Sequence, residues 1–155
     1  MANVKPIPDD YPRVIPYLAV GDGSEAIRFY TTVLGAEERV RMDAPGGKVG
    51  HAELAIGDGM VMLADEFPDA GNKSPKTVGG TPVTVMVYVE DVDAVFEKAL
   101  ERGATAVNKV EDQFYGDRAG TFEDPFGHRW HIASHVEDVP PEEMAKRAAA
   151  AMGGG

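Results

Sequence analysis

Two stretches of the chain repeat one another and between them decide the fold. Val14-Ile-Pro-Tyr-Leu-Ala-Val20, the turn Gly21-Asp-Gly-Ser24 and a run ending at Gly35-Ala36 recur in order as Val83-Thr-Val-Met-Val-Tyr-Val89, Glu90-Asp91 and a run ending at Gly103-Ala104. The offset is about 68 residues. Each stretch opens as a short β-rich run and passes into a 3.6-residue apolar period, which predicts helices over Ser24 to Leu34 and Asp91 to Arg102. The apolar stripe of the first is Ala26, Ile27, Tyr30, Val33 and Leu34, and that of the second is Val92, Val95, Phe96, Ala99 and Leu100. Ser24 or Asp91 can cap the helix start, and Gly35 or Gly103 can take the left-handed position after its end.

Three strand patterns follow each helix. In the first half they are Glu37 to Met42, Val49 to Ile56 and Met60 to Ala64, divided by Pro45-Gly-Gly47 and Gly57-Asp-Gly59. In the second they are Thr105 to Val110, about Arg118 to Glu123, and His128 to Ser134, with Asp124-Pro-Phe-Gly127 as the last turn. Each half therefore reads β-α-β-β-β, an α+β architecture. We read residues 1–155 as one domain: module one about 13–66, a linker at 67–81, module two about 82–135 and a C-terminal helix about 140–152. The linker is rich in Pro, Gly, Asn, Ser and Lys, and is a spacer or a flap. The last helix opens on Pro140-Pro141-Glu-Glu143, with bases following in the order the helix dipole favours, and Gly153 to Gly155 is expected to be disordered.

Composition narrows the chemistry. With 15 Lys and Arg against 26 Asp and Glu in 155 residues, the formal charge is −11, the wrong sign for a phosphate-backbone partner or an anionic membrane surface. The absence of cysteine excludes disulfides, thiolate nucleophiles and Cys-ligated metals, leaving His, Asp, Glu and Tyr for acid–base or metal chemistry. Met1 to Pro12 lacks an apolar leader pattern and no run of about 18 apolar residues occurs, so the expected compartment is the cytoplasm. HExxH, P-loop and G-x-S-x-G signatures are absent.

The paired modules, with Ala26-Ile-Arg-Phe-Tyr30, Gly50-His-Ala-Glu-Leu54 and Asp124-Pro-Phe-Gly-His128, resemble the vicinal oxygen chelate superfamily, which contains glyoxalase I, bleomycin-resistance proteins and extradiol dioxygenases. Gly80-Thr-Pro-Val83, Val87-Tyr-Val-Glu-Asp-Val92, Phe114-Tyr-Gly-Asp-Arg118 and His135-Val-Glu-Asp-Val139 are similar to its PhnB-like branch. The resemblance implies modules forming an open barrel around a small-molecule cavity, and a homodimer. It also implies a divalent metal held from the first and last strand of each module. Those positions fall at Ile15, Met62 or Leu63, Thr84 and His131, of which only His131 is an ordinary ligand. The expectation is therefore a site without cofactor or metal.

In such a fold one sheet face meets the helix and the other lines the cavity. Strand alternation sends Leu54 and Ile56 to the helix, leaving His51 and Glu53 on the open face, and likewise turns Thr84, Met86 and Tyr88 away from Val85 and Val87. Tyr17 follows Ile15, and His131 opposes Trp130, which reads as core. The candidate ligand-binding set is Tyr17, His51, Glu53, Thr84, Met86, Tyr88 and His131, with Arg118 and Phe122 at the mouth. His51, Glu53 and His131 are the catalytic candidates: an imidazole beside a carboxylate can transfer protons, and the three together could form a non-standard metal site. Equally, they can form a structural hydrogen-bond network. The reading is metal-independent binding of a small aromatic or amphipathic molecule; the alternative is a lyase, isomerase or epimerase working through those three side chains.

Overall fold

A computed structural model describes residues 3–153. The chain forms two compact units that divide between Gly80 and Thr81. The first contains β1 (Tyr17–Val20), α1 (Gly23–Val33), β2 (Glu37–Ala44), β3 (Lys48–Ile56) and β4 (Gly59–Asp65). Its sheet has the order β1-β4-β3-β2, with β1 parallel to β4 and the other pairs antiparallel. The second unit repeats the pattern with β5 (Thr84–Tyr88), α3 (Val92–Glu101), β6 (Thr105–Asp112), β7 (Asp117–Glu123) and β8 (Arg129–His135), in the order β5-β8-β7-β6. A final helix, α4 (Pro141–Gly153), closes the chain. The architecture is α+β, as the β-α-β-β-β reading expects. Gly153 ends α4, while residues 154–155 lie outside the described residues, as do Met1 and Ala2 at the other end.

Both helices lie against their own sheets through the expected stripe. Ala26, Ile27, Tyr30 and Val33 are buried under α1, joined by Phe29, and Val92, Phe96 and Ala99 under α3. Leu100 departs from this and stays 39% exposed. Gly35 and Gly103 have φ of 67° and 102°, the left-handed conformation that lets the chain leave the helix. The first helix is capped by Asp22 rather than Ser24: its carboxylate accepts from the Glu25 N–H at 3.1 Å, so Ser24 lies inside the helix. Asp91 caps α3 in the same way through Ala94.

The link from each helix start to its sheet is duplicated. Asp65, at the end of β4, accepts from the Gly23 N–H at 3.1 Å and from the Val49 N–H at 2.6 Å while buried. Ser134 on β8 accepts from the Val92 N–H at 3.0 Å and donates to the Val89 carbonyl at 2.7 Å. Gly23 is required where it stands, because a Cβ there would lie 2.7 Å from both an Asp65 oxygen and the Val49 Cβ.

The 67–81 segment carries more structure than its composition predicts. A 3-10 turn (Pro68–Ala70) and a short helix α2 (Pro75–Val78) occupy it. Glu66 fastens it to the first unit, accepting from Ser74 Oγ at 2.8 Å and Thr77 Oγ1 at 2.6 Å. Among the described residues no helix is long and apolar enough to cross a membrane.

Asp65→Ala leaves two buried N–H groups without an acceptor. It is expected to destabilise the protein by roughly 2–4 kcal/mol in denaturant titration, whereas the exposed-cap change Asp22→Ala should lower stability by only about 1 kcal/mol.

Candidate functional site

Strand alternation fixes what the open face of the first sheet can present. Leu18, Leu54 and Leu63 are buried on the helix side. Their neighbours Tyr17, Glu53 and Met62 take the opposite face, and the register brings these three together, with Tyr17 beside Met62 and Met62 beside Glu53. His51 lies two residues from Glu53 on the same strand face.

These side chains form one hydrogen-bonded chain. Glu53 Oε2 lies 2.7 Å from His51 Nε2, and His51 Nδ1 lies 2.8 Å from the Tyr17 hydroxyl. The far end comes from the N-terminal segment: the Tyr11 hydroxyl donates to Glu53 Oε1 at 2.6 Å. Hydrogen bonds from Tyr11 and then His51 hold the Glu53 carboxyl below its ordinary range, so it is an anion that can only accept. An imidazole that donates to this carboxylate through Nε2 can accept from the Tyr17 hydroxyl at Nδ1. Burial, then the Glu53 charge, raises the Tyr17 phenol, which keeps it protonated at neutral pH. Glu53 is only 8% exposed, whereas Tyr17 is 52% exposed. A buried carboxylate is thus connected to an accessible phenol through one imidazole.

A cavity of about 520 Å³ opens beside this chain. Its walls are mostly apolar and come from the N-terminal segment (Pro6, Ile7, Pro8, Pro12) and from Ile15 and Met62, with Tyr11, Arg13 and Glu53 completing it. Its volume and its small number of polar groups are those of a small-molecule pocket.

The second unit presents a different face. Register places Thr84 beside Arg129, Met86 beside His131 and Tyr88 beside Ala133. His131 Nδ1 is 2.9 Å from Thr121 Oγ1, and His131 borders a polar pocket of about 290 Å³ with Asn108, Lys109, Glu111 and Gln113. Tyr88 donates to buried Asp117 at 2.8 Å; Asp117 in turn contacts His135 Nδ1 at 2.8 Å, and His135 Nε2 reaches Asp138 at 2.7 Å. Asp117, then Asp138, raises the His135 imidazole above its ordinary value.

Two residues placed at the mouth lie elsewhere. Phe122 pairs in register with Trp130, and both are fully buried beneath α3, where Phe122 meets Phe96 edge-on at 6.3 Å. Arg118 shares that parity and turns to α3, gripping Asp93 with two bonds of 2.8 and 2.9 Å and Asp112 with a third at 3.2 Å. His128 belongs to the turn, its N–H donating to Asp124. Sequence reasoning missed Tyr11, Asp117 and Asp138. The Pro6-Ile-Pro8 and Pro12 spacing around Tyr11 was the available signal, since a proline-rich segment neither pairs into a sheet nor coils into a helix.

The metal positions implied by the resemblance do not suit a divalent ion. Ile15 and Met62 are cavity wall, Leu63 is fully buried on the helix side, Thr84 offers a neutral hydroxyl, and His131 is engaged by Thr121. Among the described residues no three His, Asp or Glu side chains are grouped to hold one.

A family model for the Glyoxalase/Bleomycin resistance protein/Dioxygenase superfamily matches residues 13–132. The chain belongs to that superfamily. It is 46% identical over 136 residues to the uncharacterized protein Rv0887c of Mycobacterium tuberculosis, covering 86% of this chain and 80% of that one. Among solved structures, TioX from Micromonospora sp. ML1 is similar with a TM-score of 0.61 and 29% identity, over 81% of this chain and 99% of TioX. A PhnB protein from Bacillus cereus shares the fold with a TM-score of 0.62 and 18% identity, over 79% of this chain and 99% of its own.

The His135 geometry gives a signed pH dependence. Its folded-state value is raised, so its stabilising contribution is complete below about pH 6.5 and is lost as pH climbs through the folded value. In denaturant titrations the stability gap between wild type and His135→Gln is expected to be widest near pH 6 and to close toward pH 9.

Proposed function

We propose that this superfamily member binds a small aromatic or amphipathic molecule without using a metal. The observation that carries the reading is the cavity of about 520 Å³ in the first unit, whose wall includes Ile15 and Met62; the resemblance assigns metal-ligand positions to Ile15 and to Met62 or Leu63. Apolar walls recognise an apolar body by removing it from water, at about 25 cal/mol per Å² of apolar surface. Tyr11 and Glu53 supply the polar contacts that orient it. The protein acts as a homodimer in the cytoplasm on this reading, with neither nucleic acid nor membrane as a partner, in keeping with its formal charge of −11.

A second reading is favoured by one feature, the Tyr17–His51–Glu53 chain. A carboxylate that orients an imidazole, which in turn accepts from an exposed phenol, is arranged to move a proton. An isomerase, epimerase or lyase would use His51 as base and Tyr17 as the group that meets substrate.

The test is thermal denaturation of chelator-treated protein with naphthylethanol as a neutral aromatic probe. At a probe concentration near 100 Kd the binding energy of about 2.7 kcal/mol corresponds to a rise in Tm of roughly 5–10 °C. Restoring divalent metal should leave that rise unchanged. A rise that occurs only with added metal, or none at all, would overturn metal-independent binding. Turnover of a carbon acid that is abolished by both His51→Gln and Tyr17→Phe would establish the second reading instead.

A further inference from the structure

The cavity of the first unit has an electrostatic asymmetry. Its inner polar group is Glu53, 8% exposed and ionised, whereas its one cationic lining residue, Arg13, is exposed to solvent. Water screens the guanidinium, while the low dielectric around Glu53 preserves the carboxylate's field. Hydrogen bonds hold that carboxylate: the Tyr11 phenol on Oε1 and the His51 imidazole on Oε2. The phenol on Oε1 stabilises the charge without cancelling it. Oε1 accepts from Tyr11 alone among the described residues, and Tyr11 lines the same cavity, so this oxygen borders the space a ligand would fill.

We propose that this cavity selects small aromatic or apolar molecules bearing a single protonated amine, with the ammonium taking the place of the Tyr11 hydroxyl on Glu53. An ammonium–carboxylate hydrogen bond is charge-assisted and roughly twice as strong as a neutral one. The apolar body then lies against Pro8, Pro12, Ile15 and Met62. The formal charge of −11 adds a field that draws cations toward the protein and repels carboxylates. Tyr11 thus serves as an internal stand-in for the ligand's donor: with no amine bound it satisfies the buried oxygen, and it yields that oxygen on binding. The inference rests on the binding reading above and adds the charge class of the ligand.

Calorimetric titration of the full chain at about pH 7 with naphthylethylamine, naphthylethanol and naphthylpropionate separates the two. These probes share the ring and differ in headgroup charge. The amine is expected to bind about tenfold or more tightly than the alcohol, and the carboxylate more weakly than either. Glu53→Gln keeps a hydrogen-bonding side chain of the same size and removes the charge, so amine and alcohol should converge to within about threefold in that variant. Equal affinity for amine and alcohol in the wild type, tightest binding of the carboxylate, or a full amine preference surviving in Glu53→Gln would each overturn the charge selection while leaving the binding reading intact. Binding of none of the three would overturn both. If Glu53→Gln does not fold, the wild-type series alone decides.

Discussion

A β-strand has two faces, and in each unit a helix occupies one of them. Leu18, Leu54 and Leu63 go under α1, and Phe122, Trp130 and Ile132 under α3, so the residues between them have no choice of side. In the first unit that leftover set contains a glutamate flanked by Ala52 and Leu54, both fully buried. A carboxylate placed there would be strongly penalised without donors. The Tyr11 and His51 bonds remove the penalty, and Tyr11 does so only if the segment before β1 lies over the sheet. The cavity and the buried charge therefore have one origin: the segment that satisfies Glu53 is also the segment that walls the pocket.

The duplication separates what the scaffold needs from what its site does. Asp65 and Ser134 hold matching places and accept from the first helical N–H, a requirement set by the free N–H groups of any helix start. Open-face positions have diverged. Tyr17 beside Met62 in the first unit matches Met86 beside His131 in the second, and Glu53 beside Met62 matches Thr121 beside His131. Helix anchoring tolerates only an acceptor, so a carboxylate and a hydroxyl serve alike. The open face is under no such constraint.

Much of this was legible in the sequence, and the lapses have physical causes. The order of elements, both helical stripes and the open-face parity of Tyr17, His51 and Glu53 follow from periods of 3.6 and 2, which are local properties. The first helix start was placed at Ser24, a residue type that caps well, whereas the cap is Asp22, three residues before the N–H it meets. Phe122 and Arg118 were misplaced because β7, reading Asp117-Arg-Ala-Gly-Thr-Phe-Glu123, lacks a row of large apolar side chains to reveal its parity. Its register against Trp130 settles that question. Tyr11 was invisible for a different reason. Its contact with Glu53 spans 42 residues and joins a segment without periodicity to a strand, so neither end advertises the other.

The same long-range bond bears on the metal positions that the superfamily resemblance implies. A divalent ion would bring positive charge to the open faces and could neutralise carboxylates there. The resemblance puts the first unit's ligand positions at Ile15 and at Met62 or Leu63, side chains without a hard donor, while hydrogen bonds hold the nearby Glu53 carboxyl below its ordinary range. The Tyr11 phenol carries no charge of its own, so its bond to Oε1 disperses the carboxylate's charge rather than neutralising it. A pocket with apolar walls and a nearly buried carboxylate discriminates between ligands by sign as well as by shape, since a headgroup entering it meets that field. On the binding reading the first unit holds a polarised pocket, whose selectivity resides in the carboxylate that strand alternation places on the open face.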